Sequence, residues 1–133
     1  MTKQEAIDRI RSLVSTSARL PEAHWQQNAI GGILGRDCWN IRMEISIDYN
    51  DGVYWRKGRI DLEAEKEGFH VAIEIDRKSP RTKSILKLRA IHADLRLVIV
   101  REPGWMGDTP PGIDAVICVG TERGLGKRVF SHS

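Results

Sequence analysis

Glu74 and Asp76 stand on one apolar run, 71-VAIEID-76, which leads directly into Arg77, Lys78, Arg81, Lys83, Lys87 and Arg89. Asp61 stands in the preceding run, 60-IDLEAE-65. Acids set between apolar neighbours can hold a hard divalent cation through oxygen, or they can pair with fixed side-chain cations. Charge is also separated along the chain. Residues 61–76 hold six acids and one lysine, whereas residues 77–93 hold six Lys/Arg and no acid. A cation site beside a polyanion-binding surface would have this distribution, and so would a solvated helix face after an acidic hairpin.

Local elements must position these residues. Thr2-x-x-Glu5 is a capping-box pattern, and Ile7, Ile10, Leu13 and Val14 follow at helical spacing, which predicts a helix over about 3–15. Pro21 and Glu22 open a second helix with Trp25, Ile30, Ile33 and Leu34 on its apolar side, and Gly31, Gly32 and Gly35 blur its end. Residues 41–49 alternate, with Ile41, Met43, Ile45, Ile47 and Tyr49 on one face. Asp51-Gly52 reads as a two-residue hairpin turn, followed by strands over about 53–65 and 70–76. After this meander come a helix over about 81–92, the unbroken apolar run 95-LRLVIV-100 of a buried parallel strand, and a short strand at 115–119.

Matching apolar to apolar residues sets a register. A four-residue loop, Lys66 to Phe69, pairs Ala64 with Val71, Leu62 with Ile73 and Ile60 with Ile75, which sets Asp61 opposite Glu74 and Arg59 opposite Asp76. Asp51-Gly52 as the loop pairs Met43 with Ile60 and Ile41 with Leu62. Two polar rows result, Glu44–Arg59–Asp76 and Arg42–Asp61–Glu74. The first alternates in sign. The second opposes two carboxylates, which costs stability unless positive charge intervenes. Arg42 relieves this in part. A magnesium- or manganese-type ion relieves it fully, and a solvated acidic pair is the alternative.

An acid at Ile60-Asp61, a hairpin, the run Ile73-Glu74-Ile75-Asp76, a helix and a buried strand together resemble the PD-(D/E)XK nuclease superfamily over about residues 41–101. The stretch 73-IEIDRKSPRTKSILKLRAIHADLRLVIVR-101 is similar to the very-short-patch-repair-endonuclease-like branch, which also carries acid-x-Asp where other members carry acid-x-Lys. The resemblance implies an α/β fold with a restriction-endonuclease-like core: N-terminal helix, three-stranded antiparallel meander, crossover helix and further buried strands. It implies a Mg2+- or Mn2+-dependent endonuclease that hydrolyses phosphodiester bonds in DNA, with RNA as a further possible substrate.

Under that resemblance Asp61 and Glu74 are metal ligands and catalytic residues, the Ile75 carbonyl is a further ligand, and Glu44 is an additional acid near the metal. Glu5 is a weaker candidate, since the capping box explains it. Asp76 is either a ligand or the partner of Arg59. Lys57, Lys83 or Lys87 stands in for the strand lysine. Arg77, Lys78, Arg81, Lys83, Lys87 and Arg89 contact phosphates. Trp55 and Trp105, near turns, either stack on bases or pack. His24, His70, His92 and His132 have no metal-ligand spacing.

The 133 residues, with 41% hydrophobic and 29% charged content, fit one globular domain ending in a basic, glycine-rich tail at 120–133. No apolar run approaches the roughly 20 residues of a membrane span, and the charged N-terminus lacks secretory character. Cys38 and Cys118 read as buried or half-buried thiols, and the expected location is cytoplasmic. A homodimer is compatible with the pattern. Two rival readings differ in the site: a non-catalytic DNA-binding relative of the same fold, and a small α/β protein-interaction module.

Overall fold

Alternating apolar residues draw three consecutive segments into an antiparallel meander, β1 (Asn40–Asn50), β2 (Trp55–Lys66) and β3 (Phe69–Asp76). The computed structural model describes residues 1–15 and 23–119; the 120–133 tail and the Pro21-Glu22 start of the second helix lie outside them. Helix α1 (Lys3–Ser15) and helix α2 (Ala23–Arg36) precede the meander. Helix α3 (Thr82–Ala90) then crosses to β4 (Leu95–Val100), and a loop leads to β5 (Ala115–Cys118). The result is an α/β domain with a five-stranded sheet in the order β1-β2-β3-β4-β5, where β4 and β5 run parallel to β3. Among the described residues no helix is long and apolar enough to cross a membrane.

The N-terminal capping box forms in full. Thr2 Oγ1 accepts the Glu5 N–H at 3.1 Å, and Glu5 Oε1 accepts the Thr2 N–H at 3.1 Å. Glu5 is therefore engaged at the start of α1. Helix α2 runs on through its glycines because one of them is a packing device: a Cβ on Gly31 would stand 2.6 Å from Met43 Cε. The helix ends with Cys38 in the left-handed region, φ 68, where glycine is the usual residue. That position leaves Cys38 exposed rather than buried, while Cys118 is half-buried. Asp37, beside it, binds Arg9 of α1 and lies 3.7 Å from Lys66 of β2. The Arg9 guanidinium, more than its other neighbours, lowers this carboxyl to about 2.

The two hairpins depart from their sequence expectations in different ways. Glu67 and Gly68, φ 54 and 81, make a two-residue turn closed by the Lys66–Phe69 pair, so the loop is shorter than Lys66 to Phe69. The β2–β3 register is unaffected: Glu65 pairs with His70, Ala64 with Val71 and Leu62 with Ile73. The first hairpin does shift. Asp51 does not make a two-residue turn, because its carboxylate accepts the Val53 and Tyr54 N–H groups at 2.9 and 2.7 Å and so builds a four-residue loop, 51–54. Met43 consequently pairs with Leu62, Ile41 with Ala64, Ile45 with Ile60 and Arg42 with Glu63. Neither predicted charge row survives whole: Glu44 keeps Arg59 at 3.7 Å and Asp61 keeps its place opposite Glu74, but the third member of each row is lost. Arg42 binds Glu63 at 2.7 Å, and Asp76 does not pair with Arg59.

Strands β1 and β2 also exchange faces midway. Leu62 and Ala64 pack with Ile7, Ile10, Ile30 and Leu34 of α1 and α2, yet Ile60, two residues before Leu62, packs with Leu88 and Ile91 beside α3. On β1, Ile41 belongs to the first core, while Ile45 and Ile47 belong to the second. Regular alternation would keep these residues on one face. The exchange falls at Glu44, whose φ is 53, and at Asp61 across from it; this pair is missing from an otherwise continuous ladder.

Candidate active site

The β2–β3 ladder also stops at the face exchange, after Leu62 and Ile73. By register Asp61 stands opposite Glu74, and the two side chains replace the missing ladder bonds. The Asp61 N–H donates to Glu74 Oε2 at 2.8 Å, and the Ile75 N–H donates to Asp61 Oδ2 at 2.7 Å. Neighbouring carbonyls are satisfied from the helices: Lys87 Nζ donates to Arg59 O at 2.7 Å, and Gln27 Nε2 donates to Asp61 O at 2.9 Å. Backbone groups freed by the parting strands therefore find side-chain partners, as buried backbone must. The same bonds fix both carboxylates in place.

Glu74 has no solvent exposure. Burial first, and the charge of Asp61 second, push its carboxyl up to about 7, against the opposing pull of Lys87 and the Asp61 N–H. Lys87 Nζ lies 2.5 Å from Glu74 Oε1 as an ion pair, without the alignment of a hydrogen bond. The Lys87 stem crosses β2 at Gly58, where a Cβ would stand 2.9 Å from Lys87 Cδ. A glycine there lets the ammonium reach the acids.

The other residues singled out in the sequence are placed as follows. Lys57 is exposed on β2 opposite Asp48, and Lys83 lines the groove against the β1–β2 loop. Of the three lysines weighed as stand-ins, Lys87 is the one in contact with Glu74. Asp76 is fully buried and accepts the Arg81 N–H at 2.9 Å, Arg81 Nε at 2.8 Å and Ser84 Oγ at 2.8 Å, tying the end of β3 to the start of α3. Glu44 is exposed and 3.7 Å from Arg59. Arg77 binds Glu102 at 2.7 Å, and Arg89 donates to Pro111 O at the far end of α3. Lys78 is exposed. The six basic residues thus do not share one surface: Lys87 is internal, and Arg89 is remote from Arg77.

The acids suit an ion of the magnesium type, which is bound through one or two carboxylates and completed by water and substrate phosphate. Asp61 is half-buried, and Glu74 Oε1 faces Lys87 Nζ at 2.5 Å. Among the described residues no group of three His, Cys, Asp or Glu converges on one point, so Asp61 and Glu74 would supply the carboxylates. Gln27, Gly58 and Ser84 were not legible as members of this region. Ser84 and Lys87 did carry a signal: they stand at i and i+3 with Leu88 and Ile91, on the inward stripe of α3.

No family model matches the chain, and no curated protein matches it. A crystal structure of a protein of unknown function, AF1548, superimposes with a TM-score of 0.43 at 10% identity, over 77% of this chain. This chain spans about half of that protein, 53%. A likeness this loose carries no argument about the site.

Proposed function

We propose that this chain is a metal-dependent endonuclease with a restriction-endonuclease-like core, hydrolysing phosphodiester bonds in DNA. One observation carries the reading: Asp61, Glu74 and Lys87 converge where β2 parts from β3, each held by buried backbone or side-chain partners. Asp61 and Glu74 hold Mg2+ or Mn2+. Such an ion lowers the pKa of water and stabilises charge on a phosphate. Lys87 supplies, from α3, the cation that acid-x-Lys motifs supply from the strand. It orients an attacking oxygen and balances the phosphate. Asp76, occupied by Arg81 and Ser84, positions the loop at 77–81 and the first turn of α3.

The test is cleavage of plasmid and branched oligonucleotides with Mg2+ or Mn2+. Asp61→Asn, Glu74→Gln and Lys87→Met should each lower turnover at least a hundredfold, about 2.7 kcal/mol of barrier, while DNA binding in EDTA persists. Wild type that cuts nothing, or variants that cut normally, would overturn the reading. The closed Lys87–Glu74 ion pair favours a second reading, the non-catalytic DNA-binding relative, because it neutralises Glu74 without a metal. That reading expects no Mn2+-dependent rise in melting temperature. The nuclease reading expects a rise equivalent to about 2.7 kcal/mol at a hundredfold excess over Kd.

A further inference from the structure

The β1–β2 loop and the first residue of β2 expose three large apolar residues in succession: Val53 at 75%, Tyr54 at 64% and Trp55 at 73%. Nothing in the loop's own construction calls for them. Its shape is set by Asp51, whose carboxylate takes the Val53 and Tyr54 N–H groups and Arg56 Nε, and by Asn50 Oδ1, which accepts the Gly52 N–H at 2.7 Å. The aromatic rings are thus displayed on a fixed frame, which reduces the ordering cost of binding.

A groove of about 440 Å³ lies between this loop and the first turn of α3, with Tyr49, Val53, Tyr54, Arg56, Lys83 and Leu86 in its walls. The Arg56 guanidinium sits 5.6 Å from the centre of the Tyr54 ring. Lys57 and Arg59 continue along β2, facing Asp48 and Glu44 of β1. Asp51, the acid at the groove, is engaged by Arg56. An apolar aromatic wall with Lys83 beside it complements a chain whose repeating unit is a flat apolar-faced ring joined to an anion. A fully paired duplex hides its ring faces inside the stack. An unpaired strand exposes them.

We propose that this groove and Trp55 bind unstacked bases of a single-stranded or locally unpaired nucleic acid, with Tyr54 and Trp55 as stacking faces and Lys83 on a flanking phosphate. The binding does not rest on the nuclease reading.

The experiment uses the full chain in EDTA with 2-aminopurine-labelled 30-mers, offered as a single strand, a blunt duplex and a duplex with one unpaired base. Substrates with unpaired bases should bind at least tenfold tighter than the blunt duplex. Tyr54→Ala and Trp55→Ala should each weaken that binding roughly 5–150-fold, the range of one stacked base, about 1–3 kcal/mol. Duplex affinity should stay unchanged, and Tyr54→Phe should bind as wild type. Because both side chains are exposed, thermal melting should show the variants folded. Equal losses on single strand and duplex, or no loss on either, would overturn the proposal. So would a self-associated wild type that Trp55→Ala renders monomeric in sedimentation, which would assign the surface to a second copy. If Tyr54 controls single-strand binding and no substrate is ever cut with metal, the nuclease reading fails and the groove stands.

Discussion

Glu74→Gln should flatten the pH dependence of stability of the metal-free protein. The Glu74 carboxyl is raised from an ordinary 4.5 to about 7, by burial first and by Asp61 second. Between those values the folded chain keeps a proton that the unfolded chain has released. Stability from this group is therefore full below about pH 4.5 and lost as pH rises through about 7. At about 1.36 kcal/mol per pH unit, the loss is on the order of 3 kcal/mol, a large fraction of the ~5–15 kcal/mol that holds a domain of this size together. Glutamine keeps the volume and an oxygen for the Asp61 N–H, and it cannot ionise. Urea unfolding of both proteins in EDTA, at steps from about pH 4.5 to about pH 8, gives the comparison. The wild-type curve should fall relative to the variant by on the order of 3 kcal/mol. A constant offset between the curves reports the amide facing Lys87 and leaves the argument untouched. Curves parallel to within about 0.5 kcal/mol, the usual scatter of additive sites, would show that Glu74 stays ionised against Lys87 in the folded chain.

Gly58→Ala should fold and displace Lys87, because the new methyl meets Lys87 Cδ at 2.9 Å and Tyr49 Cε1 at 3.0 Å. Overpacking of this kind costs about 1–3 kcal/mol, and with the ammonium moved the Glu74 titration should shift above 7 in the same urea series; an unchanged titration would show that the stem has room. Asp76→Lys, which places a lysine where acid-x-Lys motifs have one, should destabilise the domain by about 3–5 kcal/mol in urea, since a buried acceptor of three hydrogen bonds becomes a buried cation beside Arg81. A stable Asp76→Lys protein would mean that the 77–81 loop does not depend on that carboxylate.

Much of the frame was legible because it rests on local rules. The capping box, the 3.6-residue period of α1 and the unbroken apolar run of β4 each specify one structure. Asp61 facing Glu74 was legible for a related reason: Leu62 and Ile73 fix the β2–β3 register whatever the turn does. The first hairpin was not legible, because Asp51 can serve a two-residue turn or accept two N–H groups of a longer one, and the sequence is the same in both. The face exchange left no trace in the pattern. Helices cover both sides of the sheet, so Ile45, Ile60 and Leu62 are apolar whichever side they meet. Lys57, Lys83 and Lys87 were equal candidates in the sequence; burial on the inward stripe of α3 distinguishes Lys87, and its path is set by Gly58, which shows as a gap and not as a group.

Strand β1 is an edge of the sheet, eleven residues long, and long regular edges invite pairing with foreign strands. Glu44 interrupts this one at its middle. With φ at 53 its backbone leaves the extended conformation, and the segments on either side, Asn40–Met43 and Ile45–Asn50, face different cores. An incoming strand could follow either half for only a few residues before its hydrogen bonds and its side-chain faces fell out of step. Arg42, Glu44 and Asp48 are exposed along the same strand and add charge to the mismatch. The irregularity that brings the Asp61 carboxylate to the Ile75 N–H also guards this edge of the sheet against aggregation.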